Sequence, residues 1–224
     1  MKREDPDGLK FRFRIKDPFC GVSHMVGAAL ALVGLVVLII LSRGRPLHIT
    51  SFAVYGTTLV VLYVASALYH SLHLDQKGTG ALYGFDRAAI YALIAGTYTP
   101  VCLLALPPAW GWSLFGVVWG LAIAGILADV LSRRRVPDWL QAVMYLLTGW
   151  PIVVAIGPLL RSLPPAGLAW LFAGCLLYTV GAVICVKDRP HLKPPHFKAH
   201  ELWHVLVLVA SACHFILMLL LALG

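Results

Sequence analysis

The chain has 224 residues, 60% of them hydrophobic and only 12% charged, with a formal net charge of +8. A soluble domain carries about 25% charged residues, so this balance excludes an ordinary water-solvated globule and points to lipid around most of the surface. The basic excess alone would suit either nucleic acid or a membrane surface, and its placement along the chain decides between them.

The polar residues 1–19 form an expected cytoplasmic N-terminal segment, ahead of a transmembrane domain over 20–222. Within that domain the apolar runs are 20–42, 48–72, 83–105, 111–131, 138–160, 166–186 and 200–222. A bilayer core about 30 Å thick takes roughly 20 apolar residues per helical crossing. Backbone groups in lipid must be paired within their own segment, so each run reads as a helix. The predicted fold class is therefore all-α, an integral-membrane bundle of seven transmembrane helices. Breakers separate the runs: Arg43-Gly44-Arg45-Pro46, Asp75-Gln76-Lys77-Gly78, Pro107-Pro108, Arg133-Arg134-Arg135, Leu163-Pro164-Pro165 and the polar stretch Lys187 to Lys198. Pro100, Pro151 and Pro158 fall inside runs or near their ends, which membrane helices tolerate when neighbours satisfy the freed carbonyl. The first run begins near Phe19 after a polar start and is long enough to span, which argues against a cleaved signal peptide.

Lysine and arginine give these helices a direction. One side of the predicted membrane carries Lys2, Arg3, Lys10, Arg12, Arg14, Lys16, Lys77, Arg87, Arg133, Arg134, Arg135, Lys187, Arg189, Lys193 and Lys198; the other carries only Arg43, Arg45 and Arg161. A split of fifteen to three puts the N-terminus in the cytoplasm and the C-terminus outside. The basic balance thus serves topology and anionic lipid rather than nucleic acid, and the expected location is a bacterial inner (plasma) membrane. Five cysteines, Cys20, Cys102, Cys175, Cys185 and Cys213, form no C-x-x-C pair and read as buried thiols acting as small apolar side chains.

Ionisable groups inside spans are functional candidates by default. His200 and His204 are four apart at the start of the seventh run, on one helix face, a spacing that can chelate one metal. They belong to His-Glu-Leu-Trp-His, a literal match to H-E-x-x-H. His70 ends the second run, with Ser66 one turn before it, and Asp86 begins the third. The topology places His70, Asp86, His200 and His204 at one cytoplasmic depth, although His70 and His204 are 134 residues apart. Three histidines with an open position describe a catalytic Zn2+ site, where zinc makes water acidic near neutral pH. Asp86 could then accept a proton from that water or orient it, and Ser66 could bond the water or a substrate carbonyl; the plainer reading of Asp86 is an ion pair with Arg87 or a helix N-terminal charge. His24, in the first run, reads as an outer-shell group or a lone interfacial histidine. His73 reads as a headgroup-layer residue and His214, about 15 Å deeper than His204, as a packing histidine. His191 and His196 carry little signal.

The pattern resembles the haemolysin III family, the bacterial branch of the progestin and adipoQ receptor proteins. The matching segments are Ser66-Ala67-Leu68-Tyr69-His70, the run from Phe85-Asp86-Arg87 through Ile94-Ala95-Gly96-Thr97-Tyr98-Thr99-Pro100, Leu177-Tyr178-Thr179-Val180-Gly181-Ala182, and His200-Glu201-Leu202-Trp203-His204. The resemblance covers nearly the whole chain. It implies zinc held by His70, His200 and His204, with Asp86 and Ser66 flanking the water. It also implies kinship with hydrolases of lipid amides. Two positions depart from the family's pattern: Arg87 follows the third-span aspartate where many relatives have His, and Cys20-Gly21-Val22-Ser23-His24 stands where many have Asn-x-x-Thr-His.

Four functions compete. The first is zinc-dependent hydrolysis of a membrane lipid amide such as a ceramide, entering from the bilayer. The second is a stress-response, lipid-sensing or receptor-like protein with structural zinc, which normally has four protein ligands. The third is an intramembrane metalloprotease with Glu201 as general base, which would leave His70, Ser66 and Asp86 unexplained. The fourth is a pore-forming haemolysin, for which no amphipathic pore-lining stripe is evident. Imidazole donors also suit other transition metals, and the lipid substrate and the oligomeric state stay open.

Overall fold

The structure, a computed structural model, describes residues 15–131, 136–193 and 197–224. Of the basic residues and histidines used above, Lys2, Arg3, Lys10, Arg12, Arg14, Arg133, Arg134, Arg135 and His196 lie outside the described residues. Among the described residues, seven helices are long and apolar enough to cross a membrane: Pro18–Leu41, Pro46–Ser71, Gln76–Ala105, Pro108–Leu131, Asp138–Ser162, Pro165–Lys187 and Ala199–Leu223. They are taken here as the first to seventh spans. The fold is a seven-helix membrane bundle, and the chain is a multi-pass membrane protein.

Four of the helices open on proline, at Pro18, Pro46, Pro108 and Pro165. That position lacks an intrahelical acceptor for its N–H in any case, so proline's missing donor costs nothing there and its fixed φ favours the helix. The third span departs most from its apolar run, beginning at Gln76 rather than near 83. Its first two turns are built from small and polar residues that hydropathy does not register. The Asp75 side chain starts it by accepting from the Gly78 amide at 2.9 Å. Asp86 therefore lies ten residues inside a helix rather than at its start.

The internal prolines bend the helices where neighbours can answer. Pro100 is followed by a π-helical turn over Val101–Ala105. Pro151 opens a 3-10 segment, Pro151–Ala155, that breaks the fifth span after Gly149. The Tyr98 hydroxyl spans the break, donating to the Gly149 carbonyl at 2.7 Å and accepting from the Ile152 amide at 2.8 Å. Thr99 accepts from the Trp119 indole at 3.1 Å, and a Cβ on Gly96 would lie 2.0 Å from Thr58 Oγ1. The Gly96-Thr97-Tyr98-Thr99-Pro100 run is thus a joint between the second, third, fourth and fifth spans.

The first span packs against the second and the seventh, the second against the third, the third against the fourth and fifth, and the sixth against the fifth and seventh. Six spans close a ring, and the fourth stands outside it against the third and fifth. Arg45, between the first and second spans, donates to the carbonyls of Leu41 (2.9 Å) and Ala222, tying that connection to the end of the seventh span. A buried polar network joins the outlying fourth span to the ring: Arg87 pairs with Asp129 at 3.2 Å and also donates to Gln141, whose amide donates to Asp129 at 2.9 Å.

Candidate metal centre

The site forms where the N-terminal ends of the first and seventh spans meet the C-terminal end of the second. His70 lies in the last turn of the second span, and His200 and His204 in the first two turns of the seventh. His70 and His204 are buried, whereas His200 is exposed. Their ring nitrogens converge: Nε2 of His200 lies 3.2 Å from Nε2 of His204 and 3.5 Å from Nε2 of His70. A tetrahedral zinc with Zn–N bonds of 2.0–2.1 Å holds its nitrogens about 3.3–3.4 Å apart. The two distances bracket that spacing, so the three histidines fit a bound metal ion.

The other ring nitrogen of His70 is held by Asp17. Nδ1 of His70 is 3.0 Å from the Asp17 carboxylate, which can only accept. The proton is therefore on Nδ1, and the lone pair of Nε2 faces the cluster. A carboxylate behind a ligating histidine is the usual outer-shell partner of a metal site. The same segment clamps the end of the second span. The Asp17 amide donates to the His70 carbonyl at 2.8 Å, and Lys16 Nζ donates to the Tyr69 carbonyl at 3.1 Å. Asp17 was not legible as a site residue, because in sequence it is only the last polar residue before Pro18.

Cys20 also joins the group. Its sulfur and one ring nitrogen each of His70, His200 and His204 all lie within 4.8 Å of one another. Cys20 is buried, as its reading as a small apolar side chain expects, and its sulfur also stands among these donors; the other four cysteines keep out of the cluster. His24, one turn further along the same helix, is not alone. It is buried, its ring centroid is 4.1 Å from that of His204, and among the described residues no hydrogen bond within normal geometry reaches either ring nitrogen. His214 donates from Nε2 to the Leu171 carbonyl at 3.1 Å, as a packing histidine does. His73 follows the second span and is exposed.

Asp86 and Ser66 stand beside the histidines rather than among them. Ser66 is buried, with its hydroxyl beside the Asp86 carboxylate. Both line the cavity that the histidines line, but Asp86 is outside the set of converging donor atoms. An ion pair between Asp86 and Arg87 is not formed, since Arg87 turns to Asp129. Neighbouring residues on a helix point about 100° apart, so one carboxylate faces the cavity while the next side chain faces the fourth span. Glu201 is engaged elsewhere too: its carboxylate accepts from the Lys198 amide at 2.8 Å and caps the seventh span.

The cavity measures about 520 Å³. Its lining along the seventh span runs from His200 to His214, fourteen residues or about 21 Å of helix. Leu62, Ile90, Leu93, Ile94, Val101 and Val207 supply much of the wall, and no described residue of the fourth span contributes.

A family model described as haemolysin-III related matches residues 13–215. Hemolysin-3 of Bacillus cereus is 37% identical over 196 residues, which cover 87% of this chain and 86% of that protein. A Hemolysin-3 homolog of Bacillus subtilis (strain 168) is 37% identical over 206 residues, covering 91% of this chain and 93% of the relative.

Proposed function

This chain belongs to the haemolysin-III related family, and on that premise we propose that it is a zinc-dependent hydrolase of membrane lipid amides, of ceramide type. One observation carries the reading: three convergent imidazoles stand at one end of an elongated, mostly apolar cavity of about 520 Å³. Ligand cavities of about 300–1,000 Å³ with few polar groups are the common form of small-molecule sites. A polar headgroup at the histidine end with acyl chain along the spans matches this division of chemistry. The loop charges, fifteen against three, support a cytoplasmic location for the site and the N-terminus, with the C-terminus outside.

In this reading His70, His200 and His204 hold the metal, and Asp17 fixes the tautomer of His70. When bound, zinc supplies a Lewis acid and lowers the pKa of water to about 7. The Asp86 carboxylate takes up a proton at its Oδ and returns it to the leaving amine, while the Ser66 hydroxyl keeps that carboxylate aimed into the cavity. The apolar walls bind the chain of the lipid and exclude bulk water from the histidine end.

The test is release of free fatty acid from a ceramide by the purified full chain in mixed micelles, compared with His200→Ala and Asp86→Asn. The parent is expected to release product, His200→Ala to lose both zinc and turnover, and Asp86→Asn to lose turnover while keeping zinc. Turnover that survives in His200→Ala without bound metal overturns the proposal. A second reading, a structural metal site in a non-catalytic membrane protein, is favoured by one specific observation, the presence of Cys20 as a fourth donor in the cluster.

A further inference from the structure

We propose that Cys20 is a fourth metal ligand, so that the resting centre holds its ion through one thiolate and three imidazoles. The inference rests on the reading of His70, His200 and His204 as metal ligands and adds to it a protein group in the position otherwise open to water.

Four observations converge on it. The sulfur belongs to the mutually close set of donor atoms, all within 4.8 Å. A Zn–S bond of about 2.3 Å beside Zn–N bonds of about 2.0–2.1 Å places sulfur about 3.6 Å from each nitrogen in a tetrahedral site. The remaining gap is within the reach of a small side-chain shift. Second, Cys20 is 1% exposed, so its sulfur is reached from the cluster and not from solvent.

Third, one face of the first span is devoted to this centre. Asp17 grips Nδ1 of His70, Cys20 lies three residues on, and His24 packs its ring on His204 one turn further. Cys20 and His24, at i and i+4, share a helix face, and Asp17 is the residue that leads into that helix. Fourth, Gly21 allows the helix to come this close: a Cβ there would lie 2.5 Å from Ser71 Oγ and 3.5 Å from the His70 carbonyl oxygen.

Binding forms a metal–sulfur bond and releases the thiol proton to water. A thiolate among imidazoles shifts preference towards zinc and cobalt and away from magnesium and calcium. A four-ligand sphere is closed, so turnover at this centre requires Cys20 to yield its place to water.

The experiment loads the purified full chain, and its Cys20→Ser and Cys20→Ala variants, with cobalt(II) alone and records absorption and affinity. The parent is expected to bind one cobalt per chain and to show a near-ultraviolet thiolate-to-cobalt charge-transfer band. Both variants are expected to lose that band, retain the visible ligand-field bands of a histidine-bound ion, and bind cobalt at least about tenfold more weakly. Loss of an outer-shell partner alone costs that much. A parent complex without the charge-transfer band, or variants with the parent's band and affinity, overturns the proposal. In that event zinc-dependent ceramide turnover abolished by His200→Ala would leave the hydrolase reading standing without Cys20. A parent chain that binds neither cobalt nor zinc overturns both.

Discussion

The Asp17 carboxylate stands 3.0 Å from Nδ1 of His70 across 53 residues of sequence, joining the start of the first span to the end of the second. The bond points the Nε2 lone pair of His70 at His200. Asp17→Ala should leave the three histidines in place but free the His70 ring to rotate and to change tautomer. Zinc affinity, measured by competition with a chromogenic chelator, is expected to fall about 10- to 100-fold. An unchanged affinity would show that packing alone orients His70.

Glu201 separates two chemistries that share the His-Glu-Leu-Trp-His segment. Its carboxylate accepts from the Lys198 amide at 2.8 Å, which satisfies one of the unpaired amides at the start of the seventh span. Glu201→Gln keeps an acceptor oxygen and should retain zinc, stability and lipid turnover. Glu201→Ala should cost about 0.5–2 kcal/mol of stability, read as a lower melting temperature in detergent. If Glu201 were the general base of a protease, Glu201→Gln would instead abolish catalysis with no change in melting.

The Arg87–Asp129 pair is nearly inaccessible on both sides, 9% and 7% exposed. Arg87 also donates to Tyr83 at 2.8 Å and to Gln141. Asp129→Leu would leave the guanidinium buried without its counter-ion, at a cost of about 3–5 kcal/mol. The double variant Asp129→Leu with Arg87→Met removes both charges and should recover most of that loss, because an apolar replacement of a buried pair is often close to neutral. Melting temperatures of the two single variants and the double variant in one detergent form the cycle that checks this; a double variant no more stable than Asp129→Leu would contradict it.

How much of this was legible in the sequence follows from the range of each interaction. The seven spans were, because a run of about 20 apolar residues is itself the signal of a bilayer crossing. The start of the third span was not, because Gln76 to Gly84 form helix without being apolar. The histidines could be placed at one depth from the alternation of the helices alone. Asp17 and Cys20 could not be assigned to them, since no periodicity in residues 17–24 reports what packs against that face. The partner of Arg87 was not legible for the same reason: Asp86 is adjacent in the chain, but a helix turns adjacent side chains apart, and Asp129 arrives from another span 42 residues away.

Gly21 offers a test of whether the first span positions the centre or merely neighbours it. A Cβ at this position would meet Ser71 Oγ at 2.5 Å and a methyl of Ile15 at 3.2 Å. Serine 71 can rotate, so Gly21→Ala should be absorbed with a small loss of stability. Gly21→Val adds bulk against the second span and should push the helices apart, at about 1–3 kcal/mol as overpacking usually costs. The displacement carries Asp17 away from Nδ1 of His70 and Cys20 away from the cluster, so zinc affinity should fall more in Gly21→Val than in Asp17→Ala. A Gly21→Val chain that melts lower yet binds zinc as tightly as the parent would mean that the second and seventh spans build the centre without help from the first.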